Sequence, residues 1–258
     1  MKTIRNIVVA ALSCAWLVGM DCGSRPGDLN LRYMVLDQGG SINLMWDNAE
    51  GVTQFILYRD DSVIDTLPPD STSYLFDSTG LGKVFKVVAE GARVDGILDL
   101  SPYVDSFDIY EYDFSDTTPS GVIFNGDGTC ELYNTKQDTV HRGYIQAVLT
   151  DDVPDSTDFA TLKIASGQAL GLNYVNCQFA VNLGNVAPTP DTNDPGYAYA
   201  GQQYITAPEY AMWIVSTGPG WTNEDNFVRL TAVNVDPSGY VTVRYAYQKI
   251  GGLRWFPY

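Results

Sequence analysis

Histidine is almost missing from this chain: of its 258 residues one is a histidine, His141, and four are cysteines. Basic residues are scarce as well, with 15 Lys+Arg against 31 Asp+Glu and a formal charge of −16. A single imidazole removes His-rich metal sites and most His-dependent triads. The acid excess repels phosphate backbones and anionic lipid, which excludes nucleic acid as a partner. No Gly-rich phosphate loop, Ser nucleophile elbow or heptad repeat is present, and no apolar run of membrane-spanning length follows residue 20. What is there is 45% apolar and 12% aromatic, the composition of a folded chain with one large or two ordinary domains.

The N-terminus reads as an export signal. Lys2 and Arg5 form a short positive region, and Ile7 to Val18 is an apolar run too short to cross a bilayer comfortably. The signal is placed at 1–21, and a Gly/Ser/Pro tether at 22–27 (Cys22-Gly23-Ser24-Arg25-Pro26-Gly27). A cysteine in this position resembles the lipid-bearing cysteine of bacterial lipoproteins, with Cys22 as the acceptor, although Asp21 before it departs from the usual small residue. Ala11-Leu12-Ser13-Cys14 is chemically closer to that box but would cut the apolar core in half. Lipidation at Cys22 and plain secretion both remain open. The only membrane contact expected is through such a lipid.

Cys130 and Cys177 form an even pair in an exported chain, which favours a disulfide. Closing a loop of about 47 residues would stabilise by roughly 4 kcal/mol in the chain-entropy model.

Residues 28–104 alternate apolar and polar residues in short runs. Ser41 to Trp46, Gln54 to Arg59, Val63 to Thr66 and Lys83 to Ala89 are strands, separated by Gly39-Gly40, Asp47-Asn48, Asp60-Asp61, Pro68-Pro69-Asp70 and Gly80-Leu81-Gly82. No helical period appears. The ordered set Leu44-Met45-Trp46, Gly51, Phe55-Ile56-Leu57-Tyr58-Arg59, Phe76-Asp77 and Phe85-Lys86-Val87-Val88-Ala89 resembles a fibronectin type III domain. That resemblance implies an antiparallel sandwich with Trp46 in its core, used as a spacer or adhesive module.

Residues 105–258 read as a second antiparallel β domain. Gly121 to Phe124 and Cys130 to Tyr133 flank the turn Asn125-Gly126-Asp127-Gly128, and Phe227 to Val235 and Tyr240 to Tyr247 flank Asp236-Pro237-Ser238-Gly239. Tyr144 to Leu149, Ala160 to Ile164 and Asn176 to Asn182 are further strands. The C-terminal strands, with Met212 to Thr217 before them, resemble those of the HmuY-like haem-binding lipoproteins. The paired axial histidines of that family have no counterpart here beyond His141.

No cofactor is assigned; Ca²⁺ and haem are the two weighed. The Asn125–Gly128 turn lacks the acids of a calcium loop, with Ile123 and Asn134 at the ligand positions. Asp151, Asp152, Asp155 and Asp158, and Asp191 with Asp194, are solvated loop acids or oxygen donors for Ca²⁺. Nothing singles out the paired carboxylates of a glycosidase. Aromatics in Gly/Pro-rich loops offer a stacking platform of Trp221, Tyr197 and Tyr199. The expectation is an all-β, exported or cell-surface, non-enzymatic protein that binds an extracellular protein, glycan or small ligand. A haem-carrying lipoprotein and a secreted carbohydrate-active hydrolase are the alternatives.

Overall fold

The computed structural model describes residues 28–151, 161–171, 176–182, 184–190, 198–216 and 220–257. The fold is all-β, with seventeen strands among the described residues in four sheets whose pairings are antiparallel. The described chain divides into two compact units. One holds the residues up to Met34 with Ile42–Phe76 and Val84–Asp99; the other holds Val35–Ser41, Asp77–Lys83 and Leu100 onward.

The strands of the first part of the chain are β1 (Leu31–Leu36), β2 (Ser41–Trp46), β3 (Gln54–Arg59), β4 (Ser62–Leu67), β5 (Ser73–Phe76), β6 (Val84–Glu90) and β7 (Val94–Asp99). They form a three-stranded sheet, β1-β2-β5, and a four-stranded one, β4-β3-β6-β7. Period-two alternation sets the faces: Ile42, Leu44 and Trp46 are buried on β2, and Phe55, Leu57, Phe85, Val87 and Ala89 on β3 and β6. Trp46 sits in this core as expected, its ring 5.5 Å from Phe55 and its indole N–H donating to Ser71 O at 2.9 Å. Phe76 and Phe85 lie 4.2 Å apart, centroid to centroid. Each such side chain contributes about 1.5–3 kcal/mol by burial. Asp60 and Asp61 both take positive φ, 48° and 65°, so the β3–β4 hairpin turns in the primed geometry that matches strand twist.

The second unit contributes β8 (Tyr103–Tyr110), β9 (Gly121–Phe124), β10 (Cys130–Tyr133), β11 (Ala147–Thr150), β12 (Lys163–Ala165), β13 (Asn176–Val181), β14 (Gln202–Tyr204), β15 (Glu209–Val215), β16 (Asn226–Asp236) and β17 (Tyr240–Tyr247). They make two five-stranded sheets, β10-β9-β11-β12-β14 and β13-β15-β16-β17-β8. β8 runs across residue 105, where the sequence suggested that the domains meet. One core cluster joins the sheets, with Phe107, Ile109, Val122, Phe124, Leu149, Phe179, Met212, Leu230 and Tyr245 among its members. The reverse face of the β15–β16 region is also covered: Trp213, Phe227 and Ala246 pack with Ala187 and Phe256, and Val186 bridges to Trp255. Arg229 on that face donates from Nη2 to both oxygens of Glu209, at 2.6 and 2.7 Å, and from Nη1 to Asn185.

The expected disulfide is not formed; Cys130 and Cys177 are free thiols. Cys130 lies on β10, one edge of its sheet. Cys177 lies on β13, which bridges through Phe179 to Ala200 beside β14, the opposite edge of that same sheet. The two thiols therefore belong to different sheets, Cys177 within the shared core cluster and Cys130 packed against it.

Candidate ligand-binding surface

Three exposed side chains of the second unit, Leu132, Val140 and Tyr144, lie on edge strand β10 and the loop after it; Val104, Phe114, Tyr204, Val233 and Val235 are exposed elsewhere in the unit. The β9–β10 turn closes with Gly128 N–H donating to Asn125 O at 2.9 Å, and Asp127 accepts the backbone and hydroxyl of Thr129. The Asp127 carboxyl is thereby used in shaping the turn, which holds its pKa below the usual carboxylate range.

The return loop is tied to itself at three points. Asn134 Oδ1 accepts the N–H groups of Lys136 and Gln137. The guanidinium of Arg142 donates to Thr135 O and Lys136 O. Asp138 Oδ1 accepts the N–H groups of Val140 and His141, and Oδ2 lies 2.7 Å from His141 Nδ1. Those bonds to His141 hold the Asp138 carboxyl below its ordinary range. His141 stacks on Tyr133 with centroids 4.5 Å apart, and the Tyr133 hydroxyl donates to Glu131. That bond pushes the Tyr133 phenol up to about 12 and lowers the Glu131 carboxyl. Val140, at 74% exposure, precedes His141 in the loop, and Tyr144, at 64%, follows it by three residues, its N–H donating to His141 O at 2.8 Å.

The arrangement is a fixed aromatic face bordered by carboxylates, suited to stacking and hydroxyl recognition. Asp138 and His141 form an acid–imidazole pair, with His141 Nδ1 2.7 Å from Asp138 Oδ2.

The residues expected to form a platform lie elsewhere. Tyr199 packs edge-on against Trp213 at 5.6 Å and donates to Pro188 O at 3.2 Å, and burial pushes its phenol well up. Trp221 donates to Gly252 O at 2.9 Å and packs against the same cluster. Both are therefore committed to packing beneath the C-terminal segment rather than to an open face. Tyr197 lies outside the described residues, as do Cys22, Asp152, Asp155, Asp158, Asp191 and Asp194. Met212 is buried on β15, opposite Phe179 and Val228, where packing accounts for it.

A second feature is acidic. Glu111, just after β8, is 1% exposed, and desolvation pushes its carboxyl up to about 7, with the charges of Asp113 and Asp151 acting in the same direction. It resembles a tuned general acid in pKa but not in access, since a substrate cannot reach it. Among the described residues no group of three or more His, Cys, Asp or Glu is gathered in metal-binding geometry. Comparison with protein-family models gives no match, and comparison with curated proteins gives none either.

Proposed function

We propose that the chain is an exported, non-enzymatic binding protein whose second unit recognises an extracellular glycan through the Tyr133–His141–Tyr144 face. The observation that carries this reading is the fixed Tyr133–His141 stack beside the exposed Tyr144, bordered by Glu131 and Asp138. Pyranose rings offer apolar C–H faces to aromatic rings and hydroxyls to carboxylates, so the face fits their chemistry. The signal-like segment 1–21 supports export, and Cys22 supports a lipid anchor. The three- and four-stranded sheets of the first unit support its reading as a fibronectin type III-like spacer. A protein partner pairing along β10 is the second reading, because among the described residues β10 ends its sheet with β9 as its one neighbour there.

The test is a screen of the chain, less its export signal, on immobilised glycans and on extracellular proteins. Glycan signal lost on Tyr144→Ala supports the first reading. Retention of protein alone, insensitive to Tyr144→Ala and lost on a proline placed at Glu131, supports the second. Binding that neither variant alters removes both.

A further inference from the structure

Glu111 carries an oxygen that nothing in its surroundings satisfies. Its Oε2 accepts the backbone N–H of Asp113, whereas Oε1 is shut away from solvent with no hydrogen-bond partner. A carboxylate left in that state is costly, and buried acids are normally matched by a donor, a proton or a cation. Among the described residues no basic side chain pairs with Glu111; Lys136 is engaged by Asp113 and lies over the Tyr112 ring.

The main chain brings a second acid to the same place. Tyr110 N–H donates to Pro119 O at 2.9 Å, and Leu149 N–H donates to Ser120 O at 3.0 Å. The ends of β8 and β11 thus flank one short segment, Pro119-Ser120, and the residue that follows β11 is Asp151, also buried. Two buried acids therefore stand at neighbouring strand ends of one unit, near enough for the charge of Asp151 to act on Glu111, and one of them has an unmatched oxygen.

We propose that Glu111 and Asp151 are the carboxylate ligands of a single divalent cation site of the calcium type, formed at the ends of β8 and β11. The donor chemistry selects the ion. Both side chains offer hard oxygen, and the charged side chains that act on Glu111 are the carboxylates of Asp113 and Asp151. Irregular backbone at strand ends suits calcium, which accepts six to eight oxygens, carbonyls and waters included, in flexible geometry. The site is separate from the Tyr133–His141 face and stands or falls independently of it.

Calorimetric titration of the chain (less its export signal, stripped with EDTA) with CaCl₂ tests the inference, alongside thermal melts. One Ca²⁺ should bind per chain, with Kd on the order of 10⁻⁴–10⁻³ M, the range of extracellular modules. The melting temperature should rise with Ca²⁺ and not with equal Mg²⁺. Glu111→Gln and Asp151→Asn should each weaken binding at least about tenfold. Glu111→Gln should also melt no lower than wild type in EDTA, because the buried charge is gone. If one variant fails to fold, the isotherm of the other decides. Absence of binding at about 10 mM Ca²⁺ would overturn the proposal, as would unchanged binding in a folded variant. A melting temperature that does not rise with Ca²⁺ would overturn it as well.

Discussion

The imidazole of His141 lies over the phenol ring of Tyr133, with centroids 4.5 Å apart and planes 28° from parallel. Asp138 holds the imidazole from one side, and Glu131 holds the tyrosine hydroxyl from the other. Four side chains from an edge strand and the adjoining loop thereby fix one another before any ligand arrives. A face ordered in advance gives up little conformational freedom on binding, which is what a shallow site needs to be effective.

Tyr144→Ala should weaken ligand binding about tenfold, the loss of 1–2 kcal/mol typical of one stacked ring, and leave the melting temperature unchanged. Tyr133→Ala should weaken binding by at least as much and also release His141. The two effects are separated by pairing an array readout with the chemical shift of the His141 ring protons.

Acid should loosen the turns first. Asp77, Asp127 and Asp236 each accept N–H groups two or three residues on, and each is held below its ordinary pKa by those bonds. A carboxyl depressed in the folded state contributes stability that is present above its unfolded pKa and lost as pH falls through the folded one. Melts between pH 6 and about 3 should therefore fall below about pH 4, and less steeply in Asp127→Asn and Asp236→Asn. An equal slope in the variants would remove these turns as the cause.

The thiols should behave differently from each other. Cys177 is fully buried and its thiol is pushed well up by desolvation, whereas Cys130 is only half-buried beside Tyr245. Alkylation of the native protein should modify Cys130 slowly and spare Cys177, and both should react after denaturation without reductant. Denatured protein that takes up no label would show that the pair is oxidised.

In the first unit, Trp46→Ala should cost about 3–5 kcal/mol, read by urea denaturation, because it empties the contact with Phe55 and leaves Ser71 O without its donor.

Much of this fold could be read locally. Strands β16 and β17 follow from unbroken alternation on either side of Asp236-Pro237-Ser238-Gly239, and β9 and β10 from the Asn125–Gly128 turn. β8 was harder to see, since Asp105, Ser106 and Asp108 interrupt its apolar residues; pairing with β17 settles it. The Tyr133–His141 stack was not legible, because the two residues meet through a loop whose path depends on Asn134, Asp138 and Arg142. Tyr199 and Trp221 misled for the opposite reason: aromatic residues in loops look open until distant chain, here Gly252 and Phe256, covers them. Glu111 gives no local sign of burial at all.

Binding of the wild-type chain and of Tyr133→Ala/Tyr144→Ala to one glycan array, at equal folded concentration, tests the central claim most directly. The account predicts discrete glycan signals for the wild type that fall about a hundredfold in the double variant, the sum of two stacked rings. Signals of equal strength for both proteins, or none for the wild type, would contradict it.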